Sequence, residues 1–327
     1  MSDLKEKFNE KLQAGLKAIY DAKYIDAVEL LTKATELDPS SINAWYNLGK
    51  AYSSMDKCKQ AIHCYTKIVE LEETATNFYN LACEYYSCQE YEEAIKAYKR
   101  AIKLDKNYSL AFDGLGSSYG FLEDFDKAIE FYKKAHSLEK ENAKYLSHLG
   151  WALACNGEYE IAIMYLLKGL KMDPELTEAL FNLGFSYYYI EEYEKAIDEY
   201  QKAIKFGSES ADLFVNIAYA YEELKEKEMA CEFLKKAVDI DPYNIDNLFL
   251  LGACLQDLGK TKEAITVIRK IVDEKPSNLD AWRELGICYE IIQEFEEASK
   301  CFKHVIDIQN KSVRKQPVMK KPKLRDT

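Results

Sequence analysis

The chain has 327 residues, 48% of them hydrophobic, 31% charged and only 6 of them proline, a composition that excludes wholesale disorder. Its formal net charge of −12 excludes a protein that coats nucleic acid with its whole surface. No stretch approaches the roughly 20 apolar residues of a membrane span, and the opening MSDLKEKFNEKLQ lacks an apolar run of signal-peptide length, so a cytoplasmic setting is expected.

From residue 8 onward one alanine recurs: Ala27, Ala61, Ala94, Ala128, Ala162, Ala196, Ala230, Ala264 and Ala298. Every step is 34 residues except one of 33, which falls near Thr74. Taking this alanine as position 20 places repeat starts at 8, 42, 75, 109, 143, 177, 211, 245 and 279. Position 8 is then always small (Gly15, Gly49 and Ala82, for example), position 7 is Leu or Ile from the second repeat on, and position 24 is large and apolar, as at Tyr65, Tyr132 and Phe302. Position 32 is proline in four repeats: Pro39, Pro174, Pro242 and Pro276. Small residues at 8 and 20 let two short helices approach to roughly 8–10 Å, bulky ones fill the space around the contact, and proline resets the chain between hairpins.

The spacing W-x2-L-G-x2-Y, A-x3-F and P resembles the tetratricopeptide-repeat (TPR) family. The resemblance implies an all-α fold, a right-handed superhelical solenoid of about nine hairpins over residues 1–310; the basic, proline-interrupted and nearly apolar-free stretch 311–327 is expected to be a disordered tail. Lys11 and Ala18 stand where bulky residues belong, which suits a capping first repeat. Ser299, at a position that is Ile in most repeats, dulls the last face while leaving Ile306 and Ile308.

On the first helix of each hairpin, positions 4, 7, 8 and 11 cluster on one side and positions 2, 6, 9 and 13 on the other. In TPR families the second set lines the concave groove. In chain order it runs from polar residues in repeats two and three, with Asn47 and Asn80, to an aromatic stretch in repeats five to seven. That stretch holds Lys144, His148, Trp151, Asn182, Phe185, Tyr189, Asn216 and Tyr219. Repeats eight and nine turn acidic through Asp246, Asp257, Asp280 and Glu284. A carboxamide both donates and accepts, so Asn47, Asn80, Asn182 and Asn216 could grip a peptide backbone whatever its sequence. This ladder resembles that of O-GlcNAc transferases and kinesin light chains. The competing reading is that these asparagines are solvated and the aromatics bridge neighbouring helices.

Other chemistries find little support. A chaperone-carboxylate clamp needs Lys and Asn where the first repeat has Leu12 and Leu16, and Lys and Arg where the third has Thr76 and Asn80. The four histidines stand in no triad or zinc spacing, and the repeats leave no room for a catalytic domain, so no enzyme activity, cofactor or metal is expected. Nine cysteines without a CxxC pair read as buried reduced thiols.

The last 17 residues carry seven Lys/Arg, among them Arg314, Lys315, Lys320, Lys321, Lys323 and Arg325, against one Asp. Their charge of +6 leaves −18 on the rest of a chain whose total is −12. KKPK fits a nuclear-import pattern, and the tail could touch nucleic acid, anionic lipid or the chain's own acidic groove. The expected function is an adaptor that holds an extended or helical segment of a partner protein. Alternatives are a structural subunit docking through an end or the convex face, and a factor working through its basic tail.

Overall fold

A computed structural model describes residues 2–314, with side chains from 3 to 310. The described residues form an all-α helical-repeat fold of eighteen helices. From the second repeat on, each repeat contributes an A helix starting at its position 1, as in α3 (Ile42–Ser53), α5 (Ala75–Ser87), α7 (Ser109–Phe121) and α9 (Ala143–Cys155), whereas the first A helix begins earlier, at Ser2. Each A helix is followed by a B helix, as in α4 (Cys58–Leu71), α6 (Tyr91–Leu104), α8 (Phe125–Leu138) and α10 (Tyr159–Met172). The last helix among the described residues, α18 (Phe295–Arg314), runs past residue 310. Of the basic tail, Lys315, Lys320, Lys321, Lys323 and Arg325 lie outside the described residues, as does the side chain of Arg314.

The chain divides into two compact units, residues 1–186 and 187–327. In the first, α1 (Ser2–Tyr20) to α10 pack so that each helix touches the next in sequence, and α5 and α9 also touch α7. In the second, α12 (Tyr193–Lys205), α13 (Ala211–Glu223), α14 (Lys227–Ile240), α15 (Ile245–Asp257), α16 (Thr261–Glu274), α17 (Leu279–Ile291) and α18 follow the same order. The boundary falls within α11 (Thr177–Tyr189).

The alanines that define the register are fully buried in both units, apart from Ala298 at 2% exposure. Position 8 must be small because position 24 lies on it. A Cβ on Gly116 would sit 2.8 Å from the Tyr132 ring, and one on Gly150 would sit 2.4 Å from Leu166. Trp45 and Trp282 each donate an indole N–H to the carbonyl of the preceding proline, Pro39 or Pro276, which ties the reset turn to the next A helix. Ser41, Thr74, Asn142, Ser210, Asn244 and Asn278 cap A helices through their side chains.

Every A–B turn closes by the same device. The residue at position 15 is left-handed, and the N–H after it bonds the carbonyl of position 11, as in Glu90 to Tyr85 and Asp124 to Tyr119. This is the Schellman arrangement that glycine usually occupies, yet seven of the nine position-15 residues here are not glycine, Gln89 and Glu123 among them. A left-handed side chain costs about 1–2 kcal/mol. Gln89→Gly and Glu123→Gly are therefore each expected to raise stability by about 0.5–1 kcal/mol, net of glycine's extra unfolded-state entropy. Urea unfolding checks this against Lys133→Gly inside α8, where the same change should cost about 1 kcal/mol.

One sequence expectation is corrected here. Cys58, at the start of α4, and Cys88, the C-cap of α5, form a disulfide with a Cα–Cα distance of 5.7 Å. They are not reduced thiols, because the stacking of repeats two and three brings together cysteines 30 residues apart. The other seven cysteines are free, and all but Cys83 and Cys155 are buried.

Candidate partner-binding surface

In the first unit, the stripe begins with Asn47, half-buried, whose amide donates to the carbonyl and side chain of Asn43 one turn earlier. Its donors are thus used within α3, while Asn80 on α5 is half-buried at the same repeat position. Repeat four interrupts the ladder. Its position 6 is Gly114, and the Tyr98 ring lies where a Cβ would come within 2.4 Å.

Repeat five places His148 at that position, and here the structure assembles something the sequence did not show. The imidazole Nδ1 lies 2.7 Å from Asp113 Oδ1 on α7, and Nε2 lies 3.8 Å from Glu178 Oε2 on α11. Burial works against a charged ring, but hydrogen bonds to Asp113 and then Glu178 outweigh it, raising the pKa of His148 to about 9. His148 is therefore an imidazolium held between two carboxylates from the neighbouring repeats. Glu178 is pulled below its ordinary pKa, first by its hydrogen bond to His148, with Lys144 adding a smaller attraction. The Tyr132 ring packs beside the imidazole at 5.5 Å between centroids.

Trp151 is half-buried and in part structural. Its six-membered ring covers Gly120, where a Cβ would meet it at 2.5 Å, and it stands edge-on to Phe125. Asn182 and Phe185 on α11 are half-buried.

In the second unit Tyr189 is half exposed, and Asn216 and Tyr219 are half-buried on α13. Burial, then Glu222 and Asp246, push the Tyr219 phenol upward. Two of the four acidic positions already have cations of their own: Asp257 pairs with Lys227 at 2.8 Å and Asp280 with Arg283 at 2.9 Å. Asp246 is exposed and Glu284 half-buried.

Between α15 and α17 a cleft of about 450 Å³ opens on this same stripe. Phe249, Leu250, Ala253 and Ile268 form its apolar lining, and Asp280 and Glu284 stand among its polar residues. Its sequence signal is Ala253 at position 9, where repeats five to seven carry Trp151, Phe185 and Tyr219. A second cleft, about 510 Å³, lies off the stripe between α2 (Tyr24–Leu37), α3 and α4, with Thr35, Trp45 and His63 in its lining. Among the described residues no helix is long and apolar enough to cross a membrane, and no group of three His, Cys, Asp or Glu side chains is placed to hold a metal ion.

Tetratricopeptide-repeat models match residues 23–56 and 83–120, residues 42–74, 111–142 and 143–176, and residues 177–208. A model described as anaphase-promoting complex, cyclosome, subunit 3 matches residues 205–271 and 228–305. Among solved structures, a tetratricopeptide repeat protein from Parabacteroides merdae is similar at 18% identity and a TM-score of 0.64, over 76% of this chain and 99% of that one. The APC/C hetero-tetramer Cut9–Hcn1 contains a chain similar at 18% identity and a TM-score of 0.61, over 84% of this chain and 54% of that one. At these identities the likeness is one of fold. A search of curated proteins gave no match. The likeness of the asparagine ladder to O-GlcNAc transferases and kinesin light chains rests on sequence positions alone.

Proposed function

Because this chain belongs to the tetratricopeptide-repeat family, whose stacked repeats serve as protein-interaction scaffolds, we propose that it is a non-catalytic adaptor holding a partner segment on its A-helix face. The observation that carries the reading is the cleft between α15 and α17. It offers about 450 Å³ of apolar floor beside two carboxylates, on the very stripe that the hairpin core leaves unused. A partner side chain with an apolar stem and a cationic or donor tip suits that chemistry. In the second unit Asn216 and Tyr219 offer an amide and an aromatic group to a peptide backbone, and in the first unit Asn182 offers an amide of its own. A cytoplasmic setting belongs to the same proposal.

The test is affinity capture with mass spectrometry, comparing the wild type with Asn182→Ala/Asn216→Ala and with Ala253→Trp, which fills the cleft. Losing two backbone-gripping amides should weaken partner capture by about tenfold or more, the equivalent of roughly 1.4 kcal/mol. If both variants capture the same proteins as the wild type, the A-helix face is not the docking surface. A structural subunit that assembles through another face would give that result.

A further inference from the structure

The B-helix face of the first unit carries a surface that the groove reading does not use. B-helix positions 19, 22 and 25 are polar or charged in repeat three (Glu93, Lys96, Lys99) and in repeat four (Lys127, Glu130, Lys133). In repeat five they are Ile161, Met164 and Leu167, and no other repeat has more than one apolar residue at these three positions. The three side chains lie on successive turns of α10 and are 44%, 57% and 47% exposed. A solvated helix face has no folding reason to replace three polar residues with three apolar ones in one repeat alone, so the stripe is built to be covered.

We infer that α10 is a self-complementary contact through which two copies of this chain associate about a two-fold axis. The argument is one of register and charge. In an antiparallel pair centred on Met164, Ile161 of each copy faces Leu167 of the other, and Met164 faces Met164. Glu160 and Lys168, both exposed, then face each other across the axis, giving two opposite-charge pairs from one arrangement. Lys168 is available for this role, since the polar contact recorded for it is the His136 ring at 3.3 Å. Burial, and secondarily Lys168 itself, lower the pKa of His136, so the ring stays a neutral acceptor and leaves the charge of Lys168 uncompensated. The parallel alternative places Glu160 beside Glu160 and Lys168 beside Lys168, so charge selects the antiparallel one. Three half-exposed side chains cover far less than the roughly 800 Å² per partner of a standard interface, so the association is weak and concentration-dependent.

Sedimentation equilibrium of the full chain between about 1 and 200 µM, a range that brackets weak protein association, tests this. The wild type should rise from the 37.8 kDa monomer toward twice that mass, and Met164→Asp, which sets two like charges on the axis, should stay monomeric. Glu160→Lys alone should weaken association at least about fivefold, and Glu160→Lys combined with Lys168→Glu should restore it. All these positions are exposed, so circular dichroism should be unchanged. A wild type that stays monomeric throughout overturns the inference, even if another protein is captured through the stripe. So does a dimer indifferent to Met164→Asp, or a charge swap no better than Glu160→Lys alone. None of these outcomes depends on the A-helix groove.

Discussion

Reducing the disulfide between Cys58 and Cys88 is expected to lower stability by about 3.5 kcal/mol, the chain-entropy value for a loop of this size. The cysteines are 30 residues apart, so the crosslink removes a substantial share of the unfolded chain's freedom. In the folded state it fastens the start of α4 to the end of α5, joining repeats two and three. Reduction does not leave the site inert. Cys88 Sγ is 3.7 Å from Glu84 Oε1, and Glu84 is only 6% exposed, with its pKa raised by burial. A reduced Cys88 can donate its S–H to that carboxylate and recover part of the loss, since buried charge gains most from a new donor. Thermal unfolding with and without a thiol reductant should show a drop of roughly 7–14 °C for a cooperative unit of this size. The Cys58→Ser/Cys88→Ser protein should unfold at the lower temperature and ignore the reductant, while Cys155→Ser should respond as the wild type does. Alkylation of the denatured, unreduced chain gives a separate readout: seven cysteines should label, and labelling of all nine would show that the crosslink does not form.

That crosslink marks the boundary between what could and could not be read from the residues. The A helices begin at 42, 75, 109 and 143 as the alanine period places them, because the packing of positions 8, 20 and 24 is internal to one hairpin and repeats with it. Contacts between hairpins depend on how one stacks on the next, and no residue spacing states that offset. Cys58 is at position 17 of its repeat and Cys88 at position 14 of the next, so neither CxxC spacing nor periodicity links them. Asp113, His148 and Glu178 occupy positions 5, 6 and 2 of three successive repeats, and His148 read alone looked like a lone contact residue. Trp151 stood out as an aromatic the hairpin did not need, and within its own hairpin that holds. Its packing on Gly120 belongs to the repeat before. The left-handed turns were illegible for another reason: Ala22, Asp56, Gln89 and Lys225 carry no glycine signal, and tertiary packing imposes the conformation on them.

Replacing His148 is expected to cost about 3 kcal/mol near neutral pH and to remove a pH dependence that the wild type shows. Its pKa of about 9 stands above the ordinary 6.5, so the folded chain binds this proton more tightly than the unfolded chain does. The stabilisation is then fully present below about pH 6.5 and is lost as pH rises through 9; holding the proton that much more tightly corresponds to at most about 3 kcal/mol. Glu178 has the opposite sign. Its pKa is lowered, so its contribution exists above the ordinary carboxylate range and disappears as pH falls through the folded value. The network is complete only between these two limits. His148→Gln keeps a donor toward Asp113 without the charge, so it should abolish the decline between about pH 6.5 and 9.5 while retaining part of the packing against Tyr132. Asp113→Asn should return the His148 titration, followed by the imidazole resonances, toward its ordinary value, and should destabilise even though it leaves the ring in place. Urea unfolding across that range distinguishes the outcomes, and a wild-type slope identical to that of His148→Gln would show that the imidazolium carries no stability. Side chains from α7, α9 and α11 converge on this proton. Its loss should therefore loosen the A-helix face of repeats four to six, visible as faster amide exchange there, before it unfolds the unit.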